Sequence, residues 1–436
     1  MNAPDVKRGR HLTRTTGLRA FTGGLFVRGF QAILDLIDRG LEYGSIEGSL
    51  PDGSIRMLGD RGEGPQAVVT LHSWKALLRL VRGGSAGWYE AWAAGEWSSP
   101  DPVQVFDLFM RNRVSLGNVG RPSGLAKLVG GAIHAFRRNS RTGARRNIEF
   151  HYDLGNDFYQ AWLDESMTYS SAIFAEPVSD VETLECAQRR KIDSLLDRLQ
   201  LKPGERLLEI GCGWGGLAEI ALREKRVSYH GITLSSEQKA YADRWLAGLG
   251  DASVTLTDYR DVMRGQYDAI ASVEMVEAVG QQYWPDYLAC ISRCLKPGGR
   301  AAIQYIRIED DIFESYAKGT DFIQHYIFPG GMLLSESRFR AIAESCGLLW
   351  QDRQDFGLHY AETLKRWRAR FDAAVEAGRL PLGFDEKFVS LWRYYLMYCE
   401  GGFRGGGINV AQVTLIKKQV TLIKNRQSQK GERNKC

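Results

Sequence analysis

The stretch Leu207-Leu208-Glu209-Ile210-Gly211-Cys212-Gly213-Trp214-Gly215-Gly216 constrains this chain more than any other. Apolar residues run directly into a cluster of glycines, and a helical pattern follows over Leu217–Glu224. The order predicts a buried strand, a tight turn and a helix. Glycine has no Cβ, so a turn of this kind lets a ligand approach the backbone closely. The spacing is G-x-G-x-G-G. A dinucleotide fold would carry G-x-G-x-x-G and a ribose-binding acid about 20 residues further on. Here an acid, Glu209, precedes the first glycine instead.

The flanking pattern repeats. Strand-like segments at Arg206–Ile210, Ser228–Thr233, Ser253–Thr257, Asp268–Val273 and Ala301–Ile306 alternate with helical stretches. Lys296-Pro297-Gly298-Gly299 reads as the turn into the fifth segment, and Gln412–Lys417 as a final strand. The alternation predicts an α/β fold with a doubly wound, Rossmann-like sheet. Within it, the glycine turn resembles the S-adenosylmethionine (SAM) loop of Rossmann-like methyltransferases. Asp310–Glu336 breaks the alternation with Phe313, Tyr316, Phe322, Tyr326, Ile327 and Phe328. An insertion after the carboxyl end of a strand is where a substrate cover would sit.

A chain of 436 residues is long for one core. Residues 1–130 read as a smaller N-terminal α+β domain. Phe26, Phe30, Ile33, Leu34, Ile37 and Leu41 fall at helical spacing, Pro51-Asp52-Gly53 is a turn, Ala67–Leu71 is strand-like, and Trp74–Arg82 is helical again. The cluster Trp88, Tyr89, Trp92 and Trp97 reads as core packing or as a lipid-contacting surface. A basic linker, 131–146, carries Arg137, Arg138, Arg141, Arg145 and Arg146 without an acid. It is a solvated connector or a contact for phosphate groups. The methyltransferase domain spans 147–418 and a disordered basic tail 419–436. QVTLIK occurs twice, at Gln412–Lys417 and Gln419–Lys424. The second copy reads as a duplication outside the fold or as an extra edge strand.

Net charge is +5, mildly basic, and no apolar run approaches the ~20 residues that span a bilayer. The basic start, Met1 to Arg19, lacks the apolar core of a secretory signal. The seven cysteines are scattered and read as reduced thiols, with no His or Cys partner at metal spacing. These features predict a cytoplasmic protein that works at the inner membrane surface. Nucleic acid is not expected as a partner, since neither an N-P-P-Y nor a P-C catalytic motif is present.

SAM presents an amino acid, a sulfonium, a ribose and an adenine. The glycine turn, with Gly211, Gly213 and Gly215, suits the amino-acid end. Many methyltransferases end the second strand on an acid that binds the ribose. Here it ends Gly231-Ile232-Thr233-Leu234-Ser235, without one. Asp258-Tyr259 reads as an ordinary turn or as an acceptor for the adenine amino group.

Several further motifs occur together: Phe150-His151-Tyr152-Asp153-Leu154-Gly155-Asn156-Asp157-Phe158-Tyr159, Met167-Thr168-Tyr169-Ser170-Ser171-Ala172, Ser272-Val273-Glu274-Met275-Val276-Glu277, Tyr326-Ile327-Phe328-Pro329-Gly330-Gly331 and Tyr394-Tyr395-Leu396. From about Asn147 to Lys417 the chain resembles the cyclopropane-fatty-acyl-phospholipid synthases and their mycolic-acid relatives. Gly95-Glu96-Trp97-Ser98-Ser99-Pro100-Asp101 resembles the lipid-binding domain of the longer bacterial members. The resemblance implies that Tyr169, Ser170, Gly211, Gly213, Thr233, Leu234 and Gln238 contact SAM. It also implies a bicarbonate ion held by Ser171, Glu277, Gln304, the backbone of Ile306, and Tyr395. Two of these positions depart from the family: Ser171 stands for a cysteine and Gln304 for a histidine. Glu274 stands where many members have glycine, and Ala278 replaces a frequent histidine. Implied partners are a bilayer of unsaturated phospholipid, a second copy of the chain, and a reductase if the product is a methylene branch.

The chemistry so implied is demanding. A cis alkene must lie in line with the sulfonium methyl. Methyl transfer leaves a carbocation, so the pocket must be dry, and aromatic faces (Tyr152, Trp162, Phe174, or the 313–328 set) can stabilise the charge. A base then removes a proton. Loss from the new methyl with ring closure gives a cyclopropane; other losses give a methyl- or methylene-branched chain. Either Gln304 still holds bicarbonate, or Glu274 or Glu277 acts directly. Glu274 also reads as a strand-end carboxylate paired with an arginine, and His151 and His325 read as structural. Two further functions fit parts of the pattern: a small-molecule N-methyltransferase, and a non-catalytic lipid-binding protein that kept the loop.

Overall fold

The computed structural model describes residues 20–117, 154–264 and 266–419. The basic linker, the His151–Asp153 motif and all but the first residue of the second QVTLIK copy lie outside them.

The N-terminal part begins with α1 (Ala20–Gly40), which buries Leu34 and Ile37, and Leu41 is buried directly after it. Strands β1 (Ser45–Ser49), β2 (Ile55–Gly59) and β3 (Gln66–Leu71) follow. The expected turn at 51–53 joins the antiparallel β1–β2 pair. Helix α2 (Lys75–Ala93), the two-residue β4 (Trp97–Ser98) and α3 (Pro102–Arg111) complete the unit, whose sheet order is β2-β1-β3-β4. The start of α3 is encoded locally: Asp101 caps the Val103 amide and Pro102 occupies the first turn.

The second part opens with the short α4 (Asn156–Gln160) and with α5 (Leu184–Leu199), capped by Thr183. Then come β5 (Arg206–Ile210), α6 (Gly216–Ile220), β6 (Ser228–Thr233), α7 (Ser236–Trp245), β7 (Ala252–Leu256), β8 (Tyr267–Val273), α8 (Trp284–Cys294) and β9 (Leu295–Ile308). The remainder is α9 (Asp310–Ala317), α10 (Glu336–Ser345), β10 (Leu348–Asp355), α11 (Gly357–Glu376), α12 (Glu386–Arg404) and β11 (Ile408–Lys417). The seven strands order as β10-β11-β9-β8-β5-β6-β7. Strands β9-β8-β5-β6-β7 are parallel, whereas β11 runs antiparallel to both β9 and β10. β5 lies between β8 and β6, so the chain reverses direction of winding there. In such sheets ligands bind outside the strands' carboxyl ends at that switch.

Several boundaries move from the sequence reading. Lys296–Gly299 is drawn into β9 rather than standing as a free turn, and the ladder with β8 shifts register between Tyr267 and Ala269 to absorb it. The helix expected over 217–224 is α only to Ile220 and continues as a π turn over Ala221–Lys225. The third strand is Ala252–Leu256, one residue earlier than expected, and the last strand begins at Ile408. Strand β10 was not expected; its burial pattern is mostly exposed, so apolar patterning does not mark it.

The aromatic cluster is core. Trp88 and Trp97 stack at 4.3 Å, and Tyr89 and Phe106 meet Tyr394 of α12 edge-on at 5.0 and 5.2 Å. One apolar cluster thus runs from Leu34 and Trp97 through Phe158 and Trp392 to Tyr395. Helix α3 packs tightly against α12, where Gly401 faces Phe106; a Cβ there would lie 2.4 Å from the Phe106 Cβ. No described helix is long and apolar enough to cross a membrane.

Candidate active site

The turn after β5 takes its shape from backbone angles that side chains resist. Gly211, Gly213 and Gly215 have φ of +81°, +53° and +98°. The turn opens on a cavity of about 1040 Å³. Pockets for one small ligand span roughly 300–1,000 Å³, so this one has room for a cofactor and part of a second molecule. Tyr169, Ser170, Gly211, Gly213, Thr233, Leu234, Gln238 and Tyr259 all line it, as does Thr257, which the sequence reading passed over. Thr233 donates to Gln238 Oε1 at 2.9 Å, so β6 and α7 fix each other beside the glycine turn.

Two expected contacts lie off the cavity wall. Gly215 faces Ala242 and Leu246 of α7 and starts α6. The Asp258 carboxylate turns onto Arg260, taking its backbone amide at 3.0 Å and Nε at 2.8 Å. Arg260 in turn covers the Tyr259 ring at 5.3 Å. Asp258 thereby caps the short turn Tyr259–Asp261.

Beyond the cofactor end lie two carboxylates. Glu274 follows β8 immediately and adopts a left-handed φ of +47°. That conformation costs a non-glycine residue roughly 1–2 kcal/mol, and glycine at the same place would be relaxed. The carboxylate is fully engaged. Oε1 accepts from the Ser171 amide at 2.9 Å and from Gln304 Nε2 at 2.7 Å, and Oε2 from the Tyr360 hydroxyl at 2.7 Å. Ser171 and Gln304 are wholly buried behind it. Gln304 also donates to the Ser171 carbonyl at 3.3 Å and accepts from Gln412 Nε2 at 3.0 Å. Among the described residues Glu274 has no arginine partner: its donors are an amide, a glutamine and a tyrosine.

Glu277 sits one 3₁₀ turn on, at Val276–Ala278. Its Oε1 accepts from the Ile306 amide, while its Oε2 is buried without a partner among the described residues. Burial, and then the nearby Glu274 charge, push its pKa up to about 8. Tyr395 reaches the same cavity, with its hydroxyl 2.8 Å from that of Tyr169.

The donors expected to hold bicarbonate are therefore already taken. Ser171 N–H and Gln304 Nε2 serve Glu274, Ile306 N–H serves Glu277, and Tyr395 meets Tyr169. These residues do not fit a separate anion: two side-chain carboxylates occupy its donors.

The rest of the cavity is largely apolar. Ile306, Ile308, Ile312, Phe328, Phe403 and Ile408 line it, and the N-terminal unit adds Leu80, Trp88, Phe106, Phe109 and Met110. The 310–336 insertion supplies α9 and a π turn, Ile323–Ile327, to this wall. Its His325 packs against Tyr326 at 4.5 Å and is not part of the lining. Tyr360, Lys191 and Gln412 were missed. Lys191 alone left a trace, as a charge on the apolar face of α5 between Ala187 and Leu195.

Comparison with known proteins places this geometry. A family model described as mycolic acid cyclopropane synthetase matches residues 139–413. The chain is 41% identical to a tuberculostearic acid methyltransferase of Mycobacterium tuberculosis over 368 residues, covering 80% of this chain and 83% of that one. It is 35% identical to the cyclopropane-fatty-acyl-phospholipid synthase of Escherichia coli over 342 residues, 77% and 84% of the two chains. The cyclopropane synthase MmaA2 of Mycobacterium tuberculosis superposes with a TM-score of 0.58 at 30% identity, covering 63% of this chain and 98% of its own. A mycolic acid cyclopropane synthase solved with SAH and CTAB gives 0.58 at 31% identity, with 63% and 98% covered. The chain is thus a SAM-dependent methyltransferase and belongs to the mycolic acid cyclopropane synthetase family.

Proposed function

We propose that this enzyme transfers the SAM methyl to the cis double bond of an unsaturated phospholipid acyl chain and releases a branched alkene rather than a cyclopropane. The observation that carries the reading is Glu274, which takes the Ser171 amide and Gln304 that a bicarbonate ion would need. With no place for a separate anion, the proton acceptor is a protein carboxylate. Glu277 suits that task, because its Oε2 is partnerless and the residue lines the cavity. The 41% identical relative, named as a tuberculostearic acid methyltransferase and not as a cyclopropane synthase, supports the same reading.

The residues then divide the work. The glycine turn, Thr233 and Gln238 bind the cofactor and aim its sulfonium at the apolar arm. The arm excludes water from the acyl cation, and Tyr395 and Phe328 offer ring faces to it. Methyl transfer breaks the carbon–sulfur bond, leaving its electron pair on sulfur as SAH, and joins carbon to carbon. The cation loses a proton to Glu277 and an alkene re-forms beside the branch. Saturating that alkene needs a hydride donor, so a reductase follows. A bilayer surface on the cytoplasmic side supplies the chain.

The test uses SAM and liposomes of cis-monounsaturated phospholipid in buffer with and without bicarbonate. Mass spectrometry should show one added CH₂ per modified chain, NMR a branched alkene, and the rate should ignore bicarbonate. A cyclopropane as the main product, or a rate that requires bicarbonate, would refute the reading. The double substitution Glu274→Gly with Gln304→His should open the anion place and introduce bicarbonate dependence.

A further inference from the structure

Lys191 is a cation in the protein interior. It stands on α5 among Leu184, Ala187, Ile192, Leu195 and Leu199, and only 1% of its surface is exposed. A buried ammonium is costly unless opposed by charge and hydrogen bonds. Its Nζ donates to Ser170 Oγ at 2.7 Å, and it lines the same cavity as the glycine turn. The charges of three carboxyls favour its protonated form: Glu274 after β8, Asp164 before the Met167 turn and Glu209 on β5.

Hydrogen bonding decides which of the three carries the negative charge. Glu209 takes one donor, the Tyr229 hydroxyl at 2.6 Å. Asp164 takes the Ser166 amide and hydroxyl on Oδ2, but its Oδ1 is buried with no partner among the described residues. Glu274 takes three donors, and two of them, the Ser171 amide and Gln304 Nε2, are N–H groups that cannot turn into acceptors. Burial raises the Glu274 carboxyl above its usual range, and the Tyr360, Ser171 and Gln304 donors and the Lys191 charge oppose that shift and favour the ionised form.

The orientation of Gln304 is itself imposed from a distance. Ser194 Oγ at 2.7 Å and Arg198 Nε at 3.2 Å both donate to Gln412 Oε1. Gln412 must therefore point its Nε2 the other way, onto Gln304 Oε1 at 3.0 Å. Gln304 is left with only its Nε2 to offer Glu274 and the Ser171 carbonyl. Flipping either amide would set donor against donor or oxygen against oxygen. The same helix, α5, thus supplies both the cation and the anchor of the amide chain.

We propose that Lys191 and the Gln412–Gln304 amide chain are positioning residues that hold Glu274 as a permanent carboxylate, a fixed protein anion beside the reacting centre. This rests on the carboxylate reading of the site. Glu277 is the other acid near Glu274, and Tyr360 faces it from α11; neither brings a positive charge. Lys191, pulled down to about 8 by burial and held up by Glu274, Asp164 and Glu209, is thus the charge that balances the carboxylate. Without it, Glu274 takes up a proton.

Two readouts test this on the full-length enzyme. Infrared difference spectra of the SAH-bound protein, with Glu274→Gln as the reference, report whether Glu274 is ionised. SAH release against pH reports methyl transfer whichever product forms, so a cyclopropane product would overturn the branched-alkene reading and leave this test intact. In the wild type the Glu274 band should be that of a carboxylate near neutral pH. In Lys191→Met it should become a protonated carboxyl, with turnover down about tenfold or more near pH 7 and recovering as pH rises. Lys191→Arg should restore the carboxylate. A protonated Glu274 in the wild type, an unchanged band in Lys191→Met, or a loss of turnover equal at every pH would overturn the proposal. Should Lys191→Met not fold, Gln412→Leu decides through the same readouts: a shift of the same sign supports the chain, and an unchanged band and profile refute it.

Discussion

Replacing Glu277 with glutamine should abolish turnover and stabilise the fold at alkaline pH. The carboxyl is buried, and its pKa rises from 4.5 to about 8, first through burial and then through Glu274. A folded-state pKa above the unfolded one means that the folded protein binds this proton more tightly. The linked stability is full below the unfolded value, falls as pH rises between the two, and is lost once pH passes about 8. At about 1.36 kcal/mol per unit, this shift corresponds to ~5 kcal/mol of strain borne by the fold when Glu277 is ionised. Glutamine does not ionise and can still accept from the Ile306 amide. Its NH₂ would then stand where Oε2 has no partner, which costs ~1–3 kcal/mol. The balance leaves Glu277→Gln more stable than the wild type by ~2–4 kcal/mol above about pH 8, with the advantage vanishing near pH 5. Urea midpoints of the apo-protein at the two pH values measure this, SAH titration checks that the cofactor site survives, and SAH release measures turnover. A stability difference that does not change with pH would refute the assignment of buried strain to Glu277. Turnover in the variant above about a tenth of the wild-type rate would remove it as the base.

Two other perturbations probe the cavity and its N-terminal wall. Gly402→Leu should obstruct the apolar arm, because a Cβ there already lies 3.0 Å from Ile408 Cδ1 and 3.9 Å from Met110 Cε, and all three residues line the cavity; acyl turnover should fall about tenfold or more while SAH affinity holds, and a parallel loss of both would show collapse instead. Gly401→Ala gains about 1 kcal/mol of helix propensity but drives a methyl to 2.4 Å from Phe106 Cβ and 2.8 Å from the Val103 carbonyl and Asp107 amide, so a net loss of ~1–2 kcal/mol should appear as a lower urea midpoint.

What the sequence determined by itself was local. Strands β5 and β6 fall on the residues expected of them, because apolar runs ended by glycine or a capping serine carry their own boundaries. The glycine turn was legible because its backbone angles admit few residues other than glycine. The motifs of the family were legible as well, and they brought Glu277 and Tyr395 to one cavity. What only the tertiary structure decided is the use of the residues between. Ser171 meets Glu274 across 103 positions of sequence, and Gln304 meets Gln412 across 108. Patterning reports whether a position is buried, not which partner waits there. So Glu274 read as a strand-end acid or a base, and Gln304 as a weakened anion ligand, until the fold closed one onto the other. The N-terminal unit likewise read as a separate lipid-binding domain, and packing of α3 on α12 made its Phe106 and Met110 part of the cavity wall. The physical reason is common to both: hydrogen-bond donors and apolar faces must be matched by whatever the fold places within a few ångströms, and that neighbour is chosen by the whole chain.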